Sequence, residues 1–191
     1  MPSALIVIDV QQSFLHRPIW DEVSNPDIVD TVNLLISAAR DNGVPVKWVW
    51  HTEPDTDDVF DPSQGLVAPM DGLAFVPDEP QFTKTSRNAF TTTNLARHLT
   101  TERVDHLVIC GIQTEQCCET TARVAADLDY RVTFVTEATA TFPATRPDTG
   151  DTLPVADIIE RTEFALAGRF AEIATVDTVT TAFAKQGQDA P

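Results

Sequence analysis

Three side chains suited to acid–base and nucleophilic chemistry lie at or after the ends of strand-like segments: Asp9, Lys84 and Cys117. A buried carboxylate is costly unless a partner neutralises it, and a buried ammonium group meets the same penalty. Asp9 and Lys84 would therefore satisfy each other, and both could contact a thiol. A carboxylate beside a thiol places a base next to a nucleophile. Position alone leaves two other interpretations open, a structural ion pair and thiols that only fill the core.

Two adjacent cysteines, Cys117 and Cys118, follow a strand that ends in glycine, at the expected start of a helix. We expect the hydroxyl of Thr114 to cap that helix, so that Cys117 lies in the first turn. Unpaired N–H groups and the helix dipole favour a thiolate there and could hold an oxyanion. Cys118 points about 100° away around the helix. It is therefore expected to pack inward as a small apolar residue.

Strand-like apolar runs alternate with helical patterns along the chain. Strands are predicted at 4–10, 45–50, 81–85, 105–111, 130–136 and 171–176. Helices are predicted at 27–42, 93–99, 114–128 and 153–169, with a short terminal helix before a frayed 186–191 segment. The irregular stretch 51–80 is long for a compact domain, and loops of that kind are more often functional than mere linkers.

This alternation predicts an α/β fold, a three-layer α/β/α arrangement with a mostly parallel, doubly wound central sheet. A length of 191 residues fits a single domain over residues 1–191. In parallel sheets the functional site lies at the carboxyl ends of the strands. Asp9, His51, Lys84 and the 111–117 segment should therefore meet at one edge of the sheet.

The formal net charge of −16 argues against nucleic acid or an anionic membrane as a partner. The sequence shows no apolar run of about 20 residues and no recognisable secretion signal. Three cysteines, two of them adjacent, suit neither a disulfide framework nor a zinc site built from spaced Cys/His pairs. We therefore expect a cytoplasmic protein in a reducing environment.

Three segments in combination resemble the isochorismatase-like cysteine hydrolase superfamily, which includes nicotinamidases and N-carbamoylsarcosine amidases. They are ALIVIDVQQSF at 4–14, FTKTSRNAFTTTNLARHL at 82–99, and 107–141, which begins LVICGIQTEQCCETTAR. The resemblance implies that Cys117 is the nucleophile, Asp9 the general base and Lys84 the third member of a triad. It also implies a cis peptide bond between Ile112 and Gln113. That bond would turn the N–H of Gln113 toward an oxyanion, alongside the N–H of Cys117.

Nicotinamidases of this superfamily bind a metal through an Asp-x-His pair and a second histidine. The matching stretch here, 49–51, reads Val-Trp-His, and no second histidine follows in the loop. We therefore expect no metal, and the chemistry that the resemblance implies requires no other cofactor. His51 is interpreted either as a pocket residue or as an ordinary loop histidine.

The resemblance and the thiol together predict a hydrolase that cleaves an amide or ureido C–N bond of a small molecule through a thioester. Two alternatives stay open: a hydrolase of a vinyl ether, of the isochorismatase type, and a catalytically silent thiol-sensing or binding protein. The residues predicted to line the substrate pocket are Phe14, Trp20, Trp50, His51, Arg87 and Phe90. Relatives commonly assemble as dimers or tetramers, so a homo-oligomer is expected.

Overall fold

Six parallel strands form the centre of this computed structural model, which describes residues 2–188. They are Ser3–Ile8 (β1), Val46–His51 (β2), Gln81–Lys84 (β3), His106–Ile112 (β4), Arg131–Ala140 (β5) and Glu172–Ile173 (β8). A separate antiparallel hairpin joins Ala144–Thr145 (β6) to Thr152–Leu153 (β7). The order across the sheet is β3-β2-β1-β4-β5-β8. The ends of β1, β2, β3 and β4 are therefore neighbours.

Helices cover both faces of the sheet, as predicted, and the three-layer α/β fold is confirmed. They are Ile28–Asp41 (α1), Leu95–Thr101 (α2), Glu119–Asp127 (α3), Val155–Leu166 (α4) and Val176–Gln188 (α5). The apolar stripes of α1 and α5 pack on one face, and those of α2, α3 and α4 pack on the other. Within residues 2–188, no helix combines the length and apolarity needed to cross a bilayer.

Strand β1 shows why its sequence is apolar without interruption. Leu5 and Val7 belong to the core shared with α1 and α5, whereas Ala4, Ile6 and Ile8 belong to the opposite core. Successive side chains of a strand point to opposite faces, and here both faces are covered. Asp9, the first residue after this strand, is consequently carried into the interior.

Several predicted boundaries differ from the structure. Strand β5 runs on to Ala140 and β8 has only two residues, whereas 130–136 and 171–176 were expected. The β6–β7 hairpin was not predicted, because its two strands are two residues long and exposed. Helix α5 continues to Gln188, so the predicted fraying of 186–188 is wrong, and 189–191 lie outside the described residues. The 51–80 stretch is irregular as expected, with one short 3₁₀ helix at Pro62–Gln64.

Gly111 fixes the spacing between the first and fourth strands. Its φ is +124°, and a Cβ atom built at this position would lie 1.9 Å from the carbonyl oxygen of Ile8. Ile8 and Gly111 are register partners in the β1–β4 pairing. The missing side chain therefore allows the residue before Asp9 and the segment that leads to Cys117 to approach each other closely.

We expect Gly111→Ala to destabilise the fold by more than about 3 kcal/mol, because the added methyl group meets rigid backbone and forces the central strands apart. Gly43→Ala is the matched control. Gly43 also has a positive φ of 69°, but a Cβ there meets nothing within 4 Å. Its cost should be about 1–2 kcal/mol, from backbone strain alone. Urea unfolding of both variants measures the difference, and equal midpoints would contradict the packing argument.

Candidate active site

A carboxylate, an ammonium group and a thiol meet at the carboxyl ends of the strands. Lys84 Nζ donates to Asp9 Oδ2 at 2.8 Å and to Cys117 Sγ at 3.3 Å. Asp9 and Lys84 are completely buried, and Cys117 is 5% exposed. The structure thus brings together the three residues that the sequence singled out, with the lysine between the other two.

The local backbone holds Asp9 in a defined position. Its φ of +54° lies in the left-handed region, which aspartate tolerates better than most residues. Its N–H donates to the carbonyl of Val49 at 2.8 Å. Gln11, also fully buried, donates to the carbonyl of His51 at 3.0 Å and accepts from the N–H of His51 at 2.8 Å. These bonds join the ends of β1 and β2, so Asp9 cannot shift without disturbing the sheet.

Cys117 lies in a single π-helical turn, Thr114–Cys118, which precedes α3. The carbonyl of Gln113 accepts from the N–H of Cys118 at 3.1 Å, and the peptide bond between Ile112 and Gln113 is cis. The expected cap by Thr114 is wrong. Its hydroxyl donates to Thr139 Oγ1 at 2.8 Å and so ties the turn to β5. Single π-turns within helices are frequent at functional sites.

Cys118 is fully buried in the core formed with α2, α3 and α4. It does not line the cavity of about 350 Å³, described below, that Cys117 lines. The predicted division between the two thiols therefore agrees with the packing. Glu119, the next residue, is 5% exposed at its side chain and accepts from Arg123 at 2.8 Å and Arg161 at 2.5 Å. The Arg123 contact lies within α3, whereas the Arg161 contact links α3 to α4.

The surroundings of Cys117 favour the neutral thiol over the thiolate that was expected. Burial, followed by the nearby charge of Asp9, raises the pKa of Cys117 to about 12, and Lys84 offsets only part of this rise. Burial alone would lower the pKa of Lys84, but the charges of Asp9 and of an ionised Cys117 outweigh it and raise the pKa. These shifts favour an ammonium group on Lys84 beside a neutral thiol on Cys117.

A cavity of about 350 Å³ opens above Cys117. It is lined by Phe14, Arg17, His51, Glu53, Asp58, Phe60, Arg87, Gln113, Gln116 and Cys117. Phe14, His51 and Arg87 are therefore placed as predicted, and Gln113 lies in the wall beside the thiol. A volume of this size corresponds to roughly a dozen water molecules at ~30 Å³ each, so the cavity suits a small molecule.

Three aromatic residues predicted for the pocket lie outside the lining of this cavity. Trp50 is stacked on Trp48 in the core, with ring centroids 5.9 Å apart. Trp20 packs on Phe142 at 5.9 Å, and Phe90 is stacked on Tyr130 at 6.0 Å. The prediction failed because nearness in sequence to Asp9, His51 or Lys84 does not fix the direction in which a large side chain points.

His51 belongs to a cluster with Arg87 and Glu53. Arg87 Nη1 lies 2.7 Å from His51 Nε2 and 3.2 Å from Glu53 Oε1. Because arginine can only donate, Nε2 accepts in the contact with Arg87. Glu53 Oε1 also lies 3.0 Å from Nε2, and in that contact Nε2 would have to donate, so the ring tautomer decides which of the two bonds forms. Burial, and next the charge of Lys84, lower the pKa of His51, which keeps the ring neutral.

This cluster does not fit a metal ion. It offers two donor side chains, and both already contact a guanidinium group whose charge would repel a cation. Among residues 2–188, no group of three or more His, Cys, Asp or Glu side chains is arranged to hold a metal. Structural and catalytic zinc sites use at least three protein ligands.

Five lining residues were not among the predicted site residues: Arg17, Glu53, Asp58, Phe60 and Gln116. Glu53 has a signal in the sequence, since it follows the strand-end His51 by two residues. Arg17 is the residue directly after a short 3₁₀ segment, Gln12–His16, and no local pattern indicated that it would face the cavity. Phe60 is contributed by the irregular 51–80 stretch, where no periodic pattern indicates which side chains turn inward.

A larger cavity of about 710 Å³ lies at the opposite, amino-terminal edge of the sheet and contains a Ser3–His106 contact at 3.0 Å. Ser3 donates its hydroxyl proton to Gln186 at 2.9 Å, and His106 Nε2 contacts the Thr133 hydroxyl rather than a carboxylate. The serine is thus not aimed at a base, and no acid orients the histidine. This arrangement lacks the features of an activated nucleophile.

Comparison with known proteins identifies the family of this chain. The profile of the Isochorismatase domain matches residues 3–150. An isochorismatase family protein of Bacillus subtilis, YrdC, is 30% identical over 190 residues, which cover 96% of this chain and 97% of the relative. The chain therefore belongs to the isochorismatase family of hydrolases, as the sequence motifs predicted.

Relatives with assigned names include amidase-type hydrolases. Nicotinamidase 3 of Arabidopsis thaliana is 31% identical over 73% of this chain and 74% of its own length. Streptothricin hydrolase of Streptomyces noursei is 33% identical over 86% of this chain and 65% of its own length. A further Arabidopsis relative, named "Probable inactive nicotinamidase", is 35% identical over 72% of this chain and 80% of its own length.

Solved structures show the same architecture. The crystal structure of a cysteine hydrolase from Pseudomonas syringae pv. phaseolicola superimposes with a TM-score of 0.87, at 26% identity, over 96% of this chain and 93% of the other. An isochorismatase from Pseudomonas putida gives a TM-score of 0.83 at 30% identity, over 92% and 89%. The fold assignment thus extends over nearly the whole chain.

We expect iodoacetamide to modify Cys117 at least about tenfold faster than Cys110 or Cys118, because reactivity requires access as well as a thiolate. Burial raises the pKa of all three thiols, but only Cys117 lines the cavity, so access is what separates it from the other two. Peptide mapping after brief labelling of the native protein measures the ratio. Labelling in denaturant is the control that should modify all three thiols, and equal native rates would contradict the assignment.

Proposed function

We propose that this protein is a cysteine-dependent hydrolase that cleaves an amide or ureido C–N bond of a small molecule through a thioester intermediate. The observation that carries the proposal is the position of Lys84 Nζ, 2.8 Å from Asp9 Oδ2 and 3.3 Å from Cys117 Sγ, at the wall of a small cavity. Asp9 is the base, Cys117 the nucleophile and Lys84 the cation that stabilises whichever partner is negative.

The proton transfer that starts the reaction leaves the charge of the site unchanged. At rest the carboxylate and the ammonium group cancel, and the thiol is neutral. When Asp9 takes the proton of Cys117, the negative charge moves from the carboxylate to the sulfur. Lys84 Nζ lies within hydrogen-bond distance of Asp9 Oδ2 and Cys117 Sγ, so it stabilises the charge in either position. Asp9 Oδ1 has no hydrogen-bond partner among the described residues and can receive the proton. The high pKa of Cys117 opposes loss of its proton to solvent, whereas transfer to Asp9 creates no net buried charge.

The remaining steps follow from the same groups. The thiolate attacks the carbonyl carbon, and the backbone N–H groups of Gln113 and Cys117 are proposed to stabilise the oxyanion, with each donor of this kind contributing about 3–4 kcal/mol. Protonated Asp9 then passes its proton to the leaving nitrogen. Water attacks the thioester with Asp9 again as base, and the acid product leaves.

A C–N bond is favoured over a vinyl ether because a thiol lies in contact with the ion pair at the cavity. Cleavage of a vinyl ether needs an acid and water, for which the Asp9–Lys84 pair would be enough. The names of nicotinamidase and cysteine hydrolase among the relatives also support covalent amide chemistry. The relative that is named inactive is the reason to test turnover directly.

We expect Cys117→Ala to lower kcat/KM by at least about a thousandfold on any amide that the protein hydrolyses, because the thioester cannot form. Cys118→Ala is the matched control, since it removes the neighbouring thiol from the core and not from the cavity. Ammonia release from a panel of small amides, ureido compounds and lactams is the assay. Intact-mass spectrometry of the wild-type protein during turnover should show the acyl adduct on Cys117.

Each alternative has its own outcome in this experiment. Undiminished turnover of a vinyl ether by Cys117→Ala would replace the proposal by an isochorismatase-type reaction. Rapid labelling of Cys117 with no hydrolysis of any compound in the panel would favour a silent, thiol-sensing protein. Removal of Asp9 or Lys84 alone is a less selective test, because it leaves the other charge buried and costs about 3–5 kcal/mol of stability.

A further inference from the structure

We propose that the substrate carries an anionic group, a carboxylate, that is bound by Arg17 while its amide or ureido carbon lies at Cys117. This inference rests on the proposed function and names the class of substrate. Arg17 and Cys117 line the same cavity of about 350 Å³. A molecule of a few carbon atoms can therefore contact both.

Arg17 is held in place by aromatic packing and not by an acid. Its guanidinium carbon lies 5.8 Å from the centroid of the Phe142 ring, a cation–π geometry. Phe142 is stacked on Phe14 with centroids 6.2 Å apart, and Phe14 meets Phe60 edge-to-face at 5.0 Å. Phe14 and Phe60 are themselves walls of the cavity. The positive charge is thus oriented by rigid side chains of the same pocket.

The guanidinium group of Arg17 has no carboxylate within 4 Å among residues 2–188, although the chain has 29 acidic residues and only 13 lysines and arginines. Six other arginines each pair with an acid: Arg40, Arg87, Arg123, Arg131, Arg146 and Arg161. The three arginines that share this lack of a partner, Arg97, Arg103 and Arg169, are exposed and do not line the cavity. Arg17 combines a partly buried position with a charge that no neighbour cancels.

The other charged groups of the cavity leave this role to Arg17. Arg87 contacts Glu53 and His51, so its charge is already compensated. Asp58 lies on the exposed loop and accepts the backbone N–H of Phe60 at 3.4 Å. Deeper in, Asp9 and Lys84 cancel each other. An anion brought to Arg17 would gain a charge-assisted hydrogen bond, which is stronger than a neutral one.

The probes are the monoamides of dicarboxylic acids and the corresponding diamides. The two members of each pair differ only in that the free carboxylate of the monoamide is a carboxamide in the diamide. We expect wild-type kcat/KM for at least one of malonamate, succinamate and glutaramate to exceed that of its diamide by about 10- to 100-fold, the range for a hydrogen bond to a charged group. Arg17→Gln should bring this ratio close to one, once the twofold statistical advantage of the diamide is removed. Arg17→Lys should keep an intermediate ratio, since the charge stays and the planar fork is lost.

Arg97→Gln is the matched control, since it removes one positive charge from an exposed helix position and should leave the ratio as in the wild type. The same pairs are measured for binding to Cys117→Ala by calorimetry, with and without Arg17→Gln. If no compound releases ammonia, the proposed function fails, and the binding ratio still tests the role of Arg17. Equal binding of acid and diamide, or a ratio that Arg17→Gln does not change, would overturn the inference.

Discussion

The ion pair between Asp9 and Lys84 is the interaction on which the rest of the site depends. Both groups are fully buried, and each would be strongly destabilising without the other. Buried ion pairs contribute little net stability, because desolvation offsets most of their attraction. The pair is therefore better explained by what it does for the third group, Cys117, than by any contribution to the fold.

The sheet supplies the precision that such a pair requires. Asp9 follows β1, and Lys84 is the last residue of β3. Strand β2 lies between these two strands in the sheet. Gln11 ties the outer end of β1 to β2, and Gly111 lets β4 approach β1 on the other side. Each of these residues sets a backbone distance, so the side chains need little freedom of their own. Preorganisation of this kind is what a charge-stabilising site needs.

The sequence predicted the parts of this site that depend on the sheet and missed those that depend on loops. Asp9 and Cys117 follow strong apolar runs and Lys84 belongs to a short strand candidate, and parallel strands bring such ends together whatever the details of the connections. The cavity walls had no comparable signal. Trp50 turned into the core and Arg17 turned into the cavity, because packing around Phe142 and Trp48 decides these directions and neither contact follows from a local pattern.

The cap expected from Thr114 shows a different limit. A threonine before a helix usually satisfies an N–H group of the first turn, yet here its hydroxyl bonds to Thr139, 25 residues away. Propensity rules describe local competition, and a partner on another strand overrides them. The same turn became π-helical, which no residue preference indicated.

In the proposed mechanism the total charge of Asp9, Lys84 and Cys117 stays constant during proton transfer, and this has a consequence for the acidic exterior. Salt screens the electrostatic interaction of exposed charges within about 8 Å. Distant surface carboxylates therefore change the energy of a short internal shift of charge only slightly. The interior chemistry is thereby insulated from the composition of the surface. Acidic residues can accumulate or drift over evolutionary time under pressures such as solubility, without retuning the nucleophile.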